Sequence, residues 1–269
     1  MMQNKTNTVK FCKNIISRSL MNIQYISDLH IDLLHDEKIE RLCRKIVVKA
    51  PILVLGGDIG NPYKISYKNF LEKMNLKYEK IFVICGNHEY YGNDIEDTKV
   101  MVRDICSTIS NVVFLDNNTY IYQGYTFLGS TLWSRIMNKN NRINDTDAIK
   151  DLTVERYNDL HTECVTYVNE QLRLSPIKVV VITHHLPSYQ LIDEKYLTHT
   201  IAPYGQWFAS NLNNMMIEHR DKISCWIYGH THTEKIKTVC GVDTYCNPVG
   251  YRGENAVIDY EKTIELKNQ

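Results

Sequence analysis

Residues 80–88 read KIFVICGNH: an apolar run that ends at Gly86 and delivers Asn87 and His88. The run is short, has no polar alternation and stops at a turn residue, as a strand buried on both faces does. The same pattern recurs on either side of it. PILVLGGD (51–58) is an apolar strand running into Gly56-Gly57-Asp58. KVVVITHH (178–185) ends in Thr183-His184-His185, and SCWIYGHTH (224–232) ends in Gly229-His230-Thr231-His232. Near the start, NIQYIS (22–27) leads into Asp28-Leu29-His30.

Amphipathic stretches separate these strands. Glu37–Lys49 carries Ile39, Leu42, Cys43 and Ile46 on one helical face; Tyr67–Met74, Asp94–Thr108, Ile149–Leu174 and Trp207–His219 also read as helical. VVFL (112–115), TYIY (119–122), YTFLGS (125–130), VDTYCN, AVIDY and TIEL read as shorter strands, and Asn138–Asp147 as a loop. Strands alternating with helices indicate an α/β fold. In open α/β sheets, ligands gather beyond the carboxyl ends of the strands. Side chains scattered from position 28 to 232 are therefore expected on one rim. Glycine at 57, 86 and 229 is expected to supply the sharp backbone turns there.

Composition narrows the function classes. Of 269 residues, 43% are hydrophobic, and Lys plus Arg (31) equals Asp plus Glu (31), so nothing global favours nucleic acid or an anionic membrane as partner. No apolar stretch reaches the ~20 residues that span a bilayer. The eight cysteines form no C-x-x-C pair, which argues against zinc knuckles and redox motifs; free thiols in a reducing cytoplasm are expected. Residues 1–20 carry Lys5, Lys10, Lys13 and Arg18 and no acid. A disordered or extended start is expected there, with one domain over 21–269; the rival, a targeting peptide, has too short an apolar segment for a secretory signal.

Asp, Asn and His at the strand ends supply oxygen and imidazole nitrogen without thiolate, a donor set suited to Mn, Fe or Zn. Seven such side chains exceed the needs of one catalytic ion with an open position and match a pair of ions sharing a carboxylate. The order D-x-H, G-D, G-N-H-E, H, G-H-x-H from Asp28 to His232 resembles the calcineurin-like metallophosphoesterase superfamily. The resemblance implies a four-layer α/β/β/α sandwich of two mixed sheets flanked by helices. It implies Asp28, His30 and His232 at one metal, Asn87, His184 and His230 at the other, Asp58 bridging, and His88 as a catalytic histidine that ligates neither. Of the adjacent pair, His184 is taken as the ligand because it comes first off the strand. The protein Ser/Thr phosphatase branch extends its second motif with an acid and an arginine; here it reads Gly57-Asp58-Ile59-Gly60-Asn61. That branch is therefore disfavoured, and His88 lacks its usual acidic partner, with Glu89 as the open candidate.

The implied activity is hydrolysis of phosphate mono- or diesters by a hydroxide bridging the two metals, with His88 assisting the leaving group. A small phosphorylated molecule, a nucleotide or other diester, is favoured over phosphoprotein; a nuclease and a non-catalytic scaffold are the rivals. Pocket walls are expected from 133–147 and 187–207. His185, Asn87, Tyr204 and Arg252 are candidate substrate contacts, as is Tyr251. Tyr204 and Trp207 either stack on a base or pack a helix start. His35, His161, His199 and His219 lie outside the motifs and are expected at the surface.

Overall fold

The computed structural model describes residues 20–137, 143–196, 207–254 and 258–266. Its first sheet lays β1 (Met21–Ile26), β2 (Ile52–Leu55), β3 (Lys80–Val83) and β4 (Val112–Phe114) side by side in parallel. Helices α1 (Asp36–Lys45), α2 (Ile65–Asn75) and α3 (Ile95–Ser107) make the crossovers. The second sheet starts with the antiparallel pair β5 (Asn118–Tyr122) and β6 (Tyr125–Ser130). It continues through parallel β7 (Val179–Thr183) and β8 (Ile223–Tyr228). It closes with β9 (Lys235–Val239) and β10 (Val242–Cys246), in the order β5-β6-β7-β8-β10-β9. A short α4 (Asn144–Ala148), the long α5 (Val154–Leu174) and α6 (Asn213–His219) lie between β6 and β8 in the chain. The last strand, β11 (Thr263–Leu266), returns to the first sheet and pairs antiparallel with β1. Both sheets are thus mixed, and helices flank them, the α/β sandwich that the resemblance implies.

Period-two alternation explains the layering. Ile23, Ile52, Val54, Phe82 and Ile84 point toward Phe127, Val180, Ile182 and Ile227 of the second sheet and form the inter-sheet core. Phe82 and Phe127 stack across it at 4.1 Å between centroids. The intervening Leu53, Leu55, Ile81 and Val83 share a second core with Leu42, Phe70, Met74 and Val102 of the helices. Each such fully buried side chain contributes about 1.5–3 kcal/mol. An all-apolar strand is what two covered faces demand.

Several expected elements differ. Trp207–His219 is helical only from Asn213, because the preceding residues turn and bridge Ala209 to Leu186. The loop expected over 138–147 contains α4; residues 138–142 lie outside the described part. KIKTV forms β9, an exposed edge whose Lys and Thr residues conceal it in the sequence. In AVIDY, Ala256 and Val257 lie outside the described residues, and Ile258–Tyr260 is not strand. His161 and His219 are buried rather than at the surface: His161 Nδ1 lies 2.5 Å from Trp133 O, and His219 Nε2 3.0 Å from Asn169 Oδ1. The expected 1–20 segment and His199 lie outside the described residues, apart from Leu20. Among the described residues, no helix is long and apolar enough to cross a membrane.

Candidate metal centre

The strand ends converge. Ligand-type atoms of Asp28, His30, Asp58 and His232 lie within 4.8 Å of one another, and so do those of Asp58, His184 and His230. Asp58 belongs to both groups. His184 Nε2 is 3.3 Å from Asp58 Oδ2 and 3.2 Å from Asn87 Oδ1. His232 Nε2 is 3.4 Å from Asp28 Oδ1 and 3.1 Å from His30 Nε2.

Backbone conformation aims these side chains. Asp28, His30, Asp58, His230 and His232 all have φ between 45° and 69°, the left-handed region that costs a non-glycine residue energy. Strain of that kind clusters at functional sites. Of the three glycines expected to turn the chain, only Gly57 has positive φ. Gly86 serves by having no side chain: a Cβ there would strike Asp58 Oδ1 and come within 2.6 Å of the His184 ring. The sharp turns therefore fall on the metal-ligand-type residues themselves.

Glu89 holds the rim together. Its buried Oε1 accepts from the N–H groups of Ile59 (2.7 Å) and Gly60 (3.4 Å), and its Oε2 from those of Asp58 (3.0 Å) and Gly86 (2.7 Å). Burial and the Asp58 carboxylate push its pKa up. Both oxygens nonetheless face only N–H donors, which leaves no acceptor for a carboxyl proton and favours the anion. Glu89 thus ties the β2 and β3 turns and does not partner His88. The ring of His88 instead meets Tyr251, whose hydroxyl lies 2.9 Å from Nε2, and packs on Tyr91 at 4.1 Å.

Partners visible only in three dimensions orient the set. Asn87 Nδ2 donates to Asp145 Oδ1 (2.8 Å), so the amide oxygen faces inward. His184 Nδ1 donates to Gly56 O (2.9 Å), and His232 Nδ1 pairs with Glu254 Oε2 (2.6 Å). Histidines that bind metal are held this way, by the ring nitrogen turned away from the ion. A parallel bridge between Ser27 and Pro248 brings the 247–254 loop, with Tyr251 and Glu254, over the end of β1.

The charges fit a cation. Among the described residues, neither Asp28 nor Asp58 pairs with a lysine or arginine. Burial would lower the pKa of His184, but Asp58 and Asp28 raise it to about 10; His232 likewise rises to about 9 through Asp28 and Glu254. Burial depresses His30 and His230. The raised pKa values of His184 and His232 let imidazole protons balance the two carboxylates in the absence of ions, and His30 Nε2 lies 3.1 Å from His232 Nε2. Divalent cations would replace those protons.

These groups open on a cavity of about 220 Å³ lined by Asp58, Asn87, His88, Asp145, His230 and His232, with Tyr91, Tyr196, Trp207, Phe208 and Tyr251 as aromatic walls. Both expected wall segments contribute. Tyr204 lies outside the described residues. His185 is fully buried behind His230, its Nδ1 3.1 Å from Thr131 O; burial and His184 depress its pKa to about 3, and it does not line the cavity. Arg252 is exposed on a neighbouring groove.

A buried Asp/His cluster thus stands on the strand-end loops of an α/β sandwich, a candidate site for divalent metal. The chain belongs to the calcineurin-like phosphoesterase family, whose model matches residues 21–234. It is 31% identical over 263 residues to the uncharacterized protein L509 of Acanthamoeba polyphaga mimivirus, spanning 86% of this chain and 92% of that one. Among solved structures, it is similar to the phosphopantetheinyl hydrolase PptH of Mycobacterium tuberculosis (TM-score 0.66, 17% identity, 87% of this chain and 91% of that chain). It is also similar to a dimetal phosphatase of Danio rerio (TM-score 0.51, 11% identity, 84% and 86%). At these identities the likeness to both structures is one of fold.

Proposed function

We propose that this chain hydrolyses phosphate esters at a dinuclear centre. Asp28, His30 and His232 would hold one ion, Asn87, His184 and His230 the other, and Asp58 both. The observation that carries this reading is that two donor clusters share Asp58 at the floor of one cavity. A pair of Mn, Fe or Zn ions there would lower the pKa of water and offset charge on the phosphoryl oxygens. Asn87, fixed by Asp145, presents its amide oxygen at the same edge. His88 belongs to neither cluster and lines the cavity, where it would stabilise developing charge or pass a proton to a departing oxygen. A positioned acid of this kind contributes ~10²–10⁴-fold.

The cavity favours a small phosphorylated molecule, with a nucleotide or other diester ahead of phosphoprotein. Its aromatic walls support this preference, since stacking on a base contributes ~1–3 kcal/mol. The test combines elemental analysis with turnover of p-nitrophenyl mono- and diesters, a cyclic nucleotide, a dinucleotide and a phosphopeptide. Two ions per chain are expected, with both lost together in Asp58→Asn. His88→Ala should keep its ions and lose at least ~100-fold in kcat. Metal-loaded wild type that turns over none of these esters refutes the reading. A phosphopeptide preferred by about tenfold refutes the substrate class.

A further inference from the structure

A second cavity, of about 390 Å³, adjoins the first at Tyr251, which lines both. Its floor includes Leu29, the residue between Asp28 and His30, and Leu34. Its rim carries four cations: Lys38, Arg41 and Lys45 of α1, and Arg252 of the loop after β10. The spacing along α1 places its three on one helical face. Among the described residues, no carboxylate lines this groove and none of the four cations forms an ion pair. The contrast with Glu40 of the same helix is informative, since it pairs with Lys73 at 2.6 Å. Lys45 Nζ instead sits over the Tyr260 ring, 5.3 Å from its centroid. In a chain of zero net charge, this is a local surplus of positive potential beside an apolar floor.

The groove is built into the site. Gly250 N–H donates to Asp28 O (3.0 Å) and Val249 N–H to Ser27 O (3.0 Å), so the wall carrying Arg252 is tied to the strand end that carries Asp28 and His30. Its size is that of a small-molecule pocket, which favours the far end of a small substrate over a protein chain.

We propose that this groove is an anion subsite for the non-reacting end of the substrate: a second phosphate borne on an apolar or planar body, as in a nucleoside bisphosphate. The inference rests on the phosphoesterase reading above. The guanidinium of Arg41 offers a planar, bidentate match to a phosphate, and the lysines add point charge. The Leu29 and Leu34 floor receives the uncharged body.

The test uses a nucleoside 5′-monophosphate and the corresponding 3′,5′-bisphosphate. Calorimetric Kd values are measured on the metal-loaded His88→Ala chain, where turnover is slow, with and without Lys38→Ala/Arg41→Ala. Both of these side chains are exposed, so the double variant is expected to fold. The bisphosphate should bind about tenfold tighter than the monophosphate, ~1.4 kcal/mol, and the double variant should abolish that difference. Introduced into the chain that keeps His88, Lys38→Ala/Arg41→Ala should leave kcat/KM for p-nitrophenyl phosphate, which has no second anion, within about twofold of wild type. Equal affinity for the two nucleotides, or a preference that survives the double variant, overturns the proposal. So does an equal loss on p-nitrophenyl phosphate, which would make the cations a general field. Absence of any ester hydrolysis would sink the phosphoesterase reading alone, because the calorimetric comparison still decides the groove.

Discussion

Replacing Glu89 by glutamine removes a charge and changes no volume, and it should still unsettle the whole rim. The carboxylate is fully buried and accepts two main-chain N–H groups on each oxygen, spanning the turns of β2 and β3. A glutamine keeps one oxygen. Whichever way its amide is turned, an NH2 group faces two N–H donors. Each buried donor left unsatisfied costs about 1–3 kcal/mol. The contact from Gly60 is long at 3.4 Å and contributes little, so the loss is about 3 kcal/mol. At roughly 2–4 °C per kcal/mol for a chain near this size, the melting temperature should fall by about 6–12 °C. The melt is recorded on metal-free protein, so that weakened ion binding does not enter through mass action. A Glu89→Gln protein melting within about 2 °C of wild type would show that the carboxylate does not hold these turns.

Three further outcomes follow from the same geometry. In metal-free protein, the pKa values of His184 (about 10) and His232 (about 9) lie above the ordinary 6.5, so their stabilising contribution is complete below pH 6.5 and is lost as pH rises through 9–10. Ion binding at pH 7 should therefore release protons; calorimetric enthalpies that do not vary with the ionisation enthalpy of the buffer would contradict this. His184→Ala should lower metal content, whereas His185→Ala should keep both ions and lose stability, because His185 fills a buried space between Thr131 and His230; elemental analysis and melts separate the two, and the reverse pattern refutes the assignment. Asp145→Ala frees the Asn87 amide and should weaken metal binding about 10–100-fold in competition titrations, so unchanged affinity would remove Asp145 as a positioning residue.

The α/β class and the polar residues that converge at the strand ends were legible in the sequence because both are local signals. A strand buried on both faces is apolar throughout, as ILVL and VVVI are, and its carboxyl end is where a polar side chain first meets the rim. Asp28, Asp58, Asn87, His184, His230 and His232 could be read off in order for that reason. Helix starts were less legible: nothing in 207–212 signals that these residues bridge to Leu186.

What only the tertiary structure decided is long-range. The apolar strands look alike, so the sequence could not assign β1–β4 to one sheet and β6–β8 to the other, nor send β11 back beside β1. It could not show that left-handed turns fall on Asp28, after Ser27, on Asp58 as well as Gly57, and on His230 rather than Gly229, because φ is set there by hydrogen bonds across the rim, such as Asp28 N–H to Gly57 O. The partners of the centre, Asp145 for Asn87, Glu254 for His232 and Tyr251 for His88, lie 58, 22 and 163 positions away. No spacing rule connects such residues; the folded chain pairs them because a buried polar atom must find its partner wherever the backbone brings one within reach.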